Sequence, residues 1–154
     1  MQLTELLKPE AVRVVGHLTS KKRLFQDLGD VAASIYAMSA RSAVESLQER
    51  ESLGPTGVGN GIALPHARIE GLDAVRGVFF KLEKAIEFGS VDKQPIDLVF
   101  ALFAPKTSGV DHLKALALVS RTMRENGICN KLRANSDPAT LYAILTEARA
   151  TKAA

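Results

Sequence analysis

The chain has 154 residues, of which 46% are hydrophobic and 24% are charged. These values are typical of one globular domain and exclude a largely disordered chain. Aromatic residues make up 5% and tryptophan is absent, which argues against a surface that stacks bases or sugars. We therefore expect a single domain over residues 1–150, followed by a frayed tail at 151–154.

The charge and the cysteine content limit the classes of binding partner and the cellular compartments that we expect for this protein. Twenty basic and 17 acidic residues give a net charge of +3. The basic residues form no dense stripe, so we predict no binding to nucleic acid. Cys129 is the single cysteine, which excludes an intramolecular disulfide and fits a reducing compartment. The N-terminus carries charges where a secretory signal is apolar, and the longest apolar run, Leu98–Ala104, is far too short to span a membrane. We expect a cytoplasmic protein without membrane insertion.

Two short and two longer elements are predicted in the first third of the chain. They are a helix over 2–7, a strand over 11–15, a helix over 20–38 and a helix over 40–51. Ser20 and Ser39 are the expected N-caps, because a serine hydroxyl accepts a hydrogen bond from the first turn. Gly29 is expected to weaken the longer helix. Gly54 and Pro55 are a strong stop signal after the helix over 40–51.

The middle of the chain reads as a glycine-rich loop followed by strands. The loop covers residues 54–61, and a short strand over 62–64 follows it. Two further strands are predicted over 75–82 and 96–103, because these stretches are rich in β-branched and aromatic residues. The second of them is apolar throughout, which predicts burial on both faces. Pro105 is expected to end it.

The C-terminal third reads as two helices. Ser108 and Asp111 form a possible capping box for the first, and Gly127 is expected to close it. Its predicted inward stripe is Leu113, Leu116, Ala117, Ser120 and Met123. Asp137 and Pro138 open the last helix, with Leu141, Ile144 and Leu145 facing inward. Strands interleaved with helices predict a three-layer α/β sandwich, with a mixed β-sheet flanked by helices on both faces.

The densest chemical signal is the segment TGVGNGIALPHAR at 56–68. It does not match the dinucleotide fingerprint, because position 62 is isoleucine, and no Gly-Lys-Ser/Thr follows to make a P-loop. We therefore expect no cofactor. Pro65 stiffens the backbone before His66. An imidazole is largely uncharged at neutral pH, so it can act as a nucleophile and accept a phosphoryl group.

The stretch from Arg50 to Arg68 resembles the active-site segment of type-2 IIA components of the bacterial phosphoenolpyruvate-dependent phosphotransferase system. The resemblance extends to QPIDLVFAL at 94–102 and to His112-Leu-x-x-Leu, and it is greatest to the nitrogen-regulatory branch. It implies a fold like that of the mannitol- and fructose-type IIA domains. It also implies that an HPr-type phosphocarrier phosphorylates His66, on the tele nitrogen, and that His112 and Arg50 lie in the same site.

Elementary chemistry is consistent with each of these roles. A guanidinium such as Arg50 can pair with two phosphoryl oxygens at once. A helix N-terminus disfavours imidazolium, so a neutral His112 could donate a hydrogen bond to His66 or to the phosphoryl group. The remaining expected binding residues are Gly59, Asn60, Gly61, Pro65, Ala67 and Arg68. No metal is expected, because the histidines and Cys129 lack metal-ligand spacing.

Three functions remain open from the sequence. The first is a phosphotransferase component with regulatory output, whose phosphorylation state controls targets such as potassium transporters or sensor kinases, as the resemblance implies. The second is the IIA component of a sugar transporter, which passes its phosphoryl group to a cysteine on a IIB domain. The third is a binding module that acts through contacts alone.

Overall fold

The computed structural model describes the backbone of residues 1–153 and the side chains of residues 1–147. Within these residues the elements are α1 (Leu3–Leu6), β1 (Leu7–Val15), α2 (Lys21–Tyr36), α3 (Ala40–Ser52), β2 (Gly57–Gly59), β3 (Ile62–Ala63), β4 (His66–Ile69), β5 (Arg76–Ile86), β6 (Ile96–Pro105), α4 (Val110–Met123), α5 (Asn126–Ala134) and α6 (Pro138–Ala153). Residues 151–153 of the tail that was expected to fray belong to α6, residue 154 lies outside the described residues, and fraying itself stays a prediction.

The strands form one mixed sheet with β6 at its centre. The order is β1-β5-β6-β3-β2, and β4 also pairs with β6. β5 runs antiparallel to β6, whereas β3 and β4 both run parallel to it. All but one of the β6 residues are buried, which confirms the strand predicted to be buried on both faces. β3 and β4 follow each other along the same side of β6, with Ile62 opposite Leu98 and His66 opposite Leu102.

Helices cover both faces of the sheet, which confirms the predicted three-layer sandwich. α2 packs against α3, whereas α1, α4, α5 and α6 pack among themselves. Two neighbouring residues of β5 show that these groups lie on opposite faces, since alternate strand residues point to opposite sides. Phe80 lines a cleft with Asp27 and Val31 of α2, and Lys81 donates to the carbonyl of Arg133 in α5.

The predicted caps of α2 and α3 are confirmed. Ser20 Oγ accepts a hydrogen bond from Arg23 N at 3.1 Å, and Ser39 Oγ accepts one from Ser42 N at 3.2 Å. These bonds satisfy backbone donors that lack a partner inside the helix. The last helix also begins at Pro138 as predicted, and Asp137 accepts from Thr140 N at 3.0 Å.

β1 begins four residues earlier than predicted, at Leu7. No strand pattern is visible at 7–10, because this segment contains polar residues and the proline at position 9. The register with β5 shifts between Leu7 and Val12. Tyr36 compensates for this irregularity: its hydroxyl donates to Gly77 O at 2.7 Å and accepts from Lys8 N at 3.0 Å. Its long-range contacts have no local sequence signal.

The predicted start and inward face of α4 are wrong. Gly109 is the N-cap and makes no side-chain cap, because Ser108 Oγ donates instead to Pro105 O at 3.2 Å. Of the predicted stripe only Met123 is buried, and Leu113 is 66% exposed. The buried residues are His112, Ala115, Leu118, Val119, Thr122 and Met123. Because apolar residues occupy most of the helix circumference, its periodicity fits two orientations, and packing on β6 selects the other one.

Gly127 does not close α4, which ends at Met123, and lies instead in the first turn of the unpredicted helix α5. α5 has nine residues and few helix-favouring features in its sequence. It is held from a distance: Ile128, Cys129 and Leu132 are buried, and Lys81 Nζ donates to the carbonyls of Arg133 and Asn135 at its C-terminal end. Cys129 is a buried core residue, as predicted.

Three shorter results complete the fold. The predicted loop at 54–61 contains β2, which pairs antiparallel with β3. β4 was not predicted as a strand, because it is only four residues long and includes His66 and Arg68. Among the described helices, none is long and apolar enough to cross a membrane.

Gly29 allows α2 and α3 to pack closely. A Cβ at this position would lie 2.6 Å from Val44 Cγ2 and 3.1 Å from the Ala40 carbonyl oxygen. We therefore expect Gly29→Ala to lower the free energy of unfolding by about 1–3 kcal/mol through overpacking, although alanine favours helix. Chemical denaturation measures this change. In a Val44→Ala background the same substitution should cost clearly less, and an equal cost in both backgrounds would contradict the packing explanation.

Candidate functional site

His66 is held at a fixed point of the sheet by backbone hydrogen bonds on both sides. Leu64 N donates to Thr56 O at 2.9 Å, and Leu102 N donates to Pro65 O at 2.9 Å. Pro65 is buried between β3 and β4 and carries no N–H that would need a partner. The His66 side chain is half-buried at the first position of β4. The rigid presentation expected from Pro65 therefore has a structural basis.

The surroundings of the His66 ring determine which nitrogen carries the proton. Nδ1 lies 2.9 Å from the carbonyl oxygen of Leu64, so it must be the N–H donor. Nε2 then carries the lone pair and accepts a hydrogen bond from Arg50 Nε at 3.2 Å. Burial lowers the pKa of His66 below its usual value, and Arg50 adds to this effect, whereas the Leu64 carbonyl and Glu51 oppose it. The ring is thus neutral with a nucleophilic Nε2.

Arg50 lies in the last turn of α3, where the sequence placed it. Its Nη1 donates to the carbonyl oxygen of Gly54 at 2.9 Å, so two of its nitrogens have fixed partners. The chain reverses after α3 through hydrogen bonds from Leu53 N to Arg50 O and from Gly54 N to Glu51 O. This turn brings the Gly54 carbonyl to the guanidinium.

His112 lies in the first turn of α4, as predicted, and is only 7% exposed. Its ring meets that of His66 edge to face, with 5.7 Å between the centroids. The direct hydrogen bond considered from the sequence is not formed. Neither ring nitrogen of His112 has a hydrogen-bond partner within residues 1–147. Burial lowers the pKa of His112, and Arg68 and His66 lower it further, which favours the neutral ring.

Two clefts meet at His66. The larger has a volume of about 460 Å³ and is lined by Arg50, His66, Ala67, Arg68, Lys106 and His112 among others. The basic side chains of Arg50, Arg68 and Lys106 outnumber the one carboxylate in the lining, Glu49, so the cleft favours an anion. The smaller cleft, about 190 Å³, has a mixed lining, in which Val58, Leu64 and Leu116 are apolar and Arg50, Thr56 and Ser120 are polar or charged. His66 and Arg50 line both clefts.

The structure does not bring Gly59, Asn60 and Gly61 to His66. The turn pairs with β6 near Leu98, whereas His66 lies opposite Leu102, roughly 13 Å further along the strand. Gly61 has a φ of +78°, and a Cβ there would lie 2.7 Å from Arg133 Nη2 and 2.8 Å from Asp97 Oδ1. Glycine is thus required by close packing and by the left-handed backbone.

Three site features were missed from the sequence. Lys106 lines the cationic cleft. Arg133 forms a two-pronged ion pair with Asp97 and donates to Asn60 O at 2.7 Å, which holds the turn. Glu51 is a nearly buried carboxylate beside Arg50. Only Glu51 carried a sequence signal, as a charge next to a predicted site residue. The other two become neighbours of their partners only through folding.

Comparisons with known proteins show the family to which the chain belongs. Residues 5–148 match the family described as "Phosphoenolpyruvate-dependent sugar phosphotransferase system, EIIA 2". A nitrogen regulatory protein of Bradyrhizobium diazoefficiens is 42% identical over 153 residues, which cover 99% of this chain and 100% of that protein. Nitrogen Regulatory Protein IIA-Ntr from Neisseria meningitidis has a TM-score of 0.85 at 31% identity, covering 94% of this chain and 99% of that one.

IIA mannitol from Escherichia coli shares the fold, with a TM-score of 0.72 at 19% identity over 88% of this chain and 97% of that one. The fold implied by the sequence resemblance is therefore confirmed. The family match spans nearly the whole chain and includes Arg50, His66 and His112. The chain thus belongs to the EIIA type-2 family of the phosphoenolpyruvate-dependent sugar phosphotransferase system.

Proposed function

We propose that this protein is a regulatory IIA component that accepts a phosphoryl group on Nε2 of His66 from an HPr-type phosphocarrier. The observation that supports this most directly is the hydrogen bond between Nδ1 and the Leu64 carbonyl, which leaves the Nε2 lone pair available. Membership in the family supplies the phosphotransferase context. The likeness to nitrogen regulatory proteins favours the nitrogen-regulatory branch.

The chemical step is a transfer between two imidazoles. The Nε2 lone pair of His66 forms a bond to phosphorus, and the bond from phosphorus to the carrier's histidine nitrogen breaks, with its electron pair remaining on the carrier. Arg50 moves from Nε2 to the phosphoryl oxygens, where its planar fork can pair with two of them. The N–H of the neutral His112 ring, which has no other partner within residues 1–147, and the charges of Arg68 and Lys106 stabilise the same anion.

Regulation would follow from the added charge. The phosphoryl group itself carries about −1.5 to −2 near neutrality, which would offset the cationic surface around Arg68 and Lys106. A target that binds one form would therefore discriminate against the other. Potassium transporters and sensor kinases are the targets that we propose. We propose the cytoplasm as the compartment, in keeping with an unpaired Cys129.

The site chemistry fits the sugar-transport alternative equally well, because a IIB cysteine could take the phosphoryl group from His66. The regulatory reading is preferred because the relatives reported above at 42% and 31% identity are nitrogen regulatory proteins. The two functions differ in the recipient. The phosphorylated protein should retain its phosphoryl group when mixed with fructose- or mannitol-type IIB domains, and rapid transfer to either would establish the transporter role instead.

Phosphorylation should depend on His66. Incubation with enzyme I, an HPr-type carrier and phosphoenolpyruvate is expected to give one acid-labile adduct, and mass spectrometry under alkaline conditions should place it on His66. His66→Ala should acquire none. His17→Ala is the matched control, since His17 is exposed and lines neither cleft, and it should react like the wild type. An adduct on the His66→Ala protein would contradict the assignment.

Arg50→Lys should slow phosphoryl acceptance by roughly 10- to 100-fold, because an ammonium cannot form the two parallel hydrogen bonds of a guanidinium. Stopped-time assays with the phosphorylated carrier measure this rate. Arg41→Lys, at a position on the same helix that is 89% exposed, provides the control. Equal rates for the two variants would show that Arg50 has no part in the transfer.

The pH dependence should reflect the lowered pKa of His66. Because burial disfavours the imidazolium, the ring stays neutral as the pH falls below the usual value of 6.5, and acceptance should persist there until the lowered pKa is reached. The unfolded chain takes up protons first, so the free energy of unfolding should fall over the same interval. NMR titration of the His66 ring measures the pKa, and a value at or above 6.5 would contradict this account.

A further inference from the structure

Glu51 is a nearly buried carboxylate that takes no direct part in the proposed transfer of the phosphoryl group. Its side chain is 6% exposed, and its Oε2 pairs with Lys21 Nζ at 2.9 Å. It also accepts hydrogen bonds from the backbone N–H of Thr56 at 3.1 Å and from the Thr56 hydroxyl. Thr56 itself is only 3% exposed. A buried charge with this many donors fixes the segments that supply them.

One route of contacts leads from Glu51 to Arg50. Glu51 binds Thr56 at the end of the turn that follows α3, and the same turn carries the Gly54 carbonyl. That carbonyl accepts from Arg50 Nη1 at 2.9 Å. The carboxylate therefore closes the turn from residue 51 to residue 56, and the closed turn orients the guanidinium.

A second route leads from Glu51 to His66. The carbonyl oxygen of Thr56 accepts from Leu64 N at 2.9 Å. The carbonyl oxygen of Leu64 in turn accepts from His66 Nδ1 at 2.9 Å. The residue that sets the His66 tautomer is thus attached to Thr56, and Thr56 is attached to Glu51. The side chains of Arg50 and His66 are therefore both held, through Thr56 and the turn before it, by the carboxylate of Glu51.

We propose that Glu51 is a positioning residue for phosphoryl transfer, which fixes Arg50 and His66 relative to each other through Thr56 and stabilises the positive charge that the His66 ring acquires. This inference rests on the proposed function.

The charge effect follows from the bonding change at His66. When Nε2 uses its lone pair to bind phosphorus, Nδ1 keeps its proton and still donates it to the Leu64 carbonyl. The ring therefore becomes a cation. The carrier's ring keeps the electron pair of the broken bond, and no other group gains or loses a proton. Arg50 faces His66 as a cation, whereas Glu51 is the anion that favours the charged ring. Its negative charge therefore stabilises the transferred state.

Lys21 explains why a carboxylate is suited to this position. Its ammonium lies 4.4 Å from the Phe88 ring centroid and donates to Glu51 from the first turn of α2. Glu51 thus faces only donors: the ammonium of Lys21 and the N–H and hydroxyl of Thr56. A glutamine would have to turn its own NH₂ group toward one of them, which leaves a donor facing a donor.

The experiment compares Glu51→Gln with Glu45→Gln, a control on the same helix whose side chain is 68% exposed. Glu51→Gln should lower the pKa of His66 below the wild-type value by NMR titration and reduce the rate of phosphoryl acceptance by about tenfold or more. Glu45→Gln should change neither. A folded Glu51→Gln protein with a wild-type His66 pKa and a rate within about twofold of the wild type would overturn the inference.

Thr56 provides a second test that leaves the carboxylate in place. Thr56→Ser retains the hydroxyl and should react at the wild-type rate. Thr56→Val keeps the backbone N–H bond to Glu51 but loses the bond from the hydroxyl, and should react more slowly. If Glu51→Gln does not fold, equal rates for these two variants would overturn the inference instead. If the wild type accepts no phosphoryl group, the proposed function fails, but the His66 titrations of wild type and Glu51→Gln still decide whether Glu51 acts on that ring.

Discussion

The hydrogen bond between His66 Nδ1 and the Leu64 carbonyl is the interaction on which the chemistry of this protein depends. It is a contact between a side chain and the backbone two residues earlier, so its geometry is set by the local chain path. That path is fixed on one side by Thr56 and on the other by Leu102 of the central strand. A backbone carbonyl can only accept a hydrogen bond, so the proton of the neutral ring must be on Nδ1, and no carboxylate has to bind Nδ1 to select this tautomer. The lone pair therefore lies on Nε2, the nitrogen that faces Arg50.

The electrostatics of the cleft combine two opposing demands. A site that receives a phosphoryl group needs positive charge, and Arg50, Arg68 and Lys106 provide it. Burial disfavours protonation of both His66 and His112 and lowers the pKa of each ring, and Arg50 adds to this at His66 as Arg68 does at His112. Both effects keep the imidazoles neutral, which suits a nucleophile. The same environment destabilises the positive charge that the His66 ring acquires in the reaction. The negative charge of Glu51 favours the charged ring and so opposes this effect.

Sequence reasoning succeeded where the signal was local and failed where it was distributed in space. The caps at Ser20 and Ser39, the buried strand β6, and the placement of Arg50 and His112 at helix ends all follow from short patterns. The orientation of α4 and the existence of α5 depend on packing against the sheet and on Lys81 from β5, which no window along the chain contains. The glycine-rich turn was assigned to the site by its composition. Gly61 instead accommodates Arg133 and Asp97, and Gly59 lies next to Asp92.

The two helical layers contribute one residue each to the His66 ring, Arg50 from α3 and His112 from α4. These helices belong to groups that pack on opposite faces of the sheet. The His66 ring therefore lies where the two helical layers, on opposite faces of the sheet, both reach the same side chain. If either helical layer moved slightly away from the sheet, Arg50 or His112 would leave the His66 ring even though the strands stayed folded. Activity at His66 therefore requires that both layers be packed on the sheet.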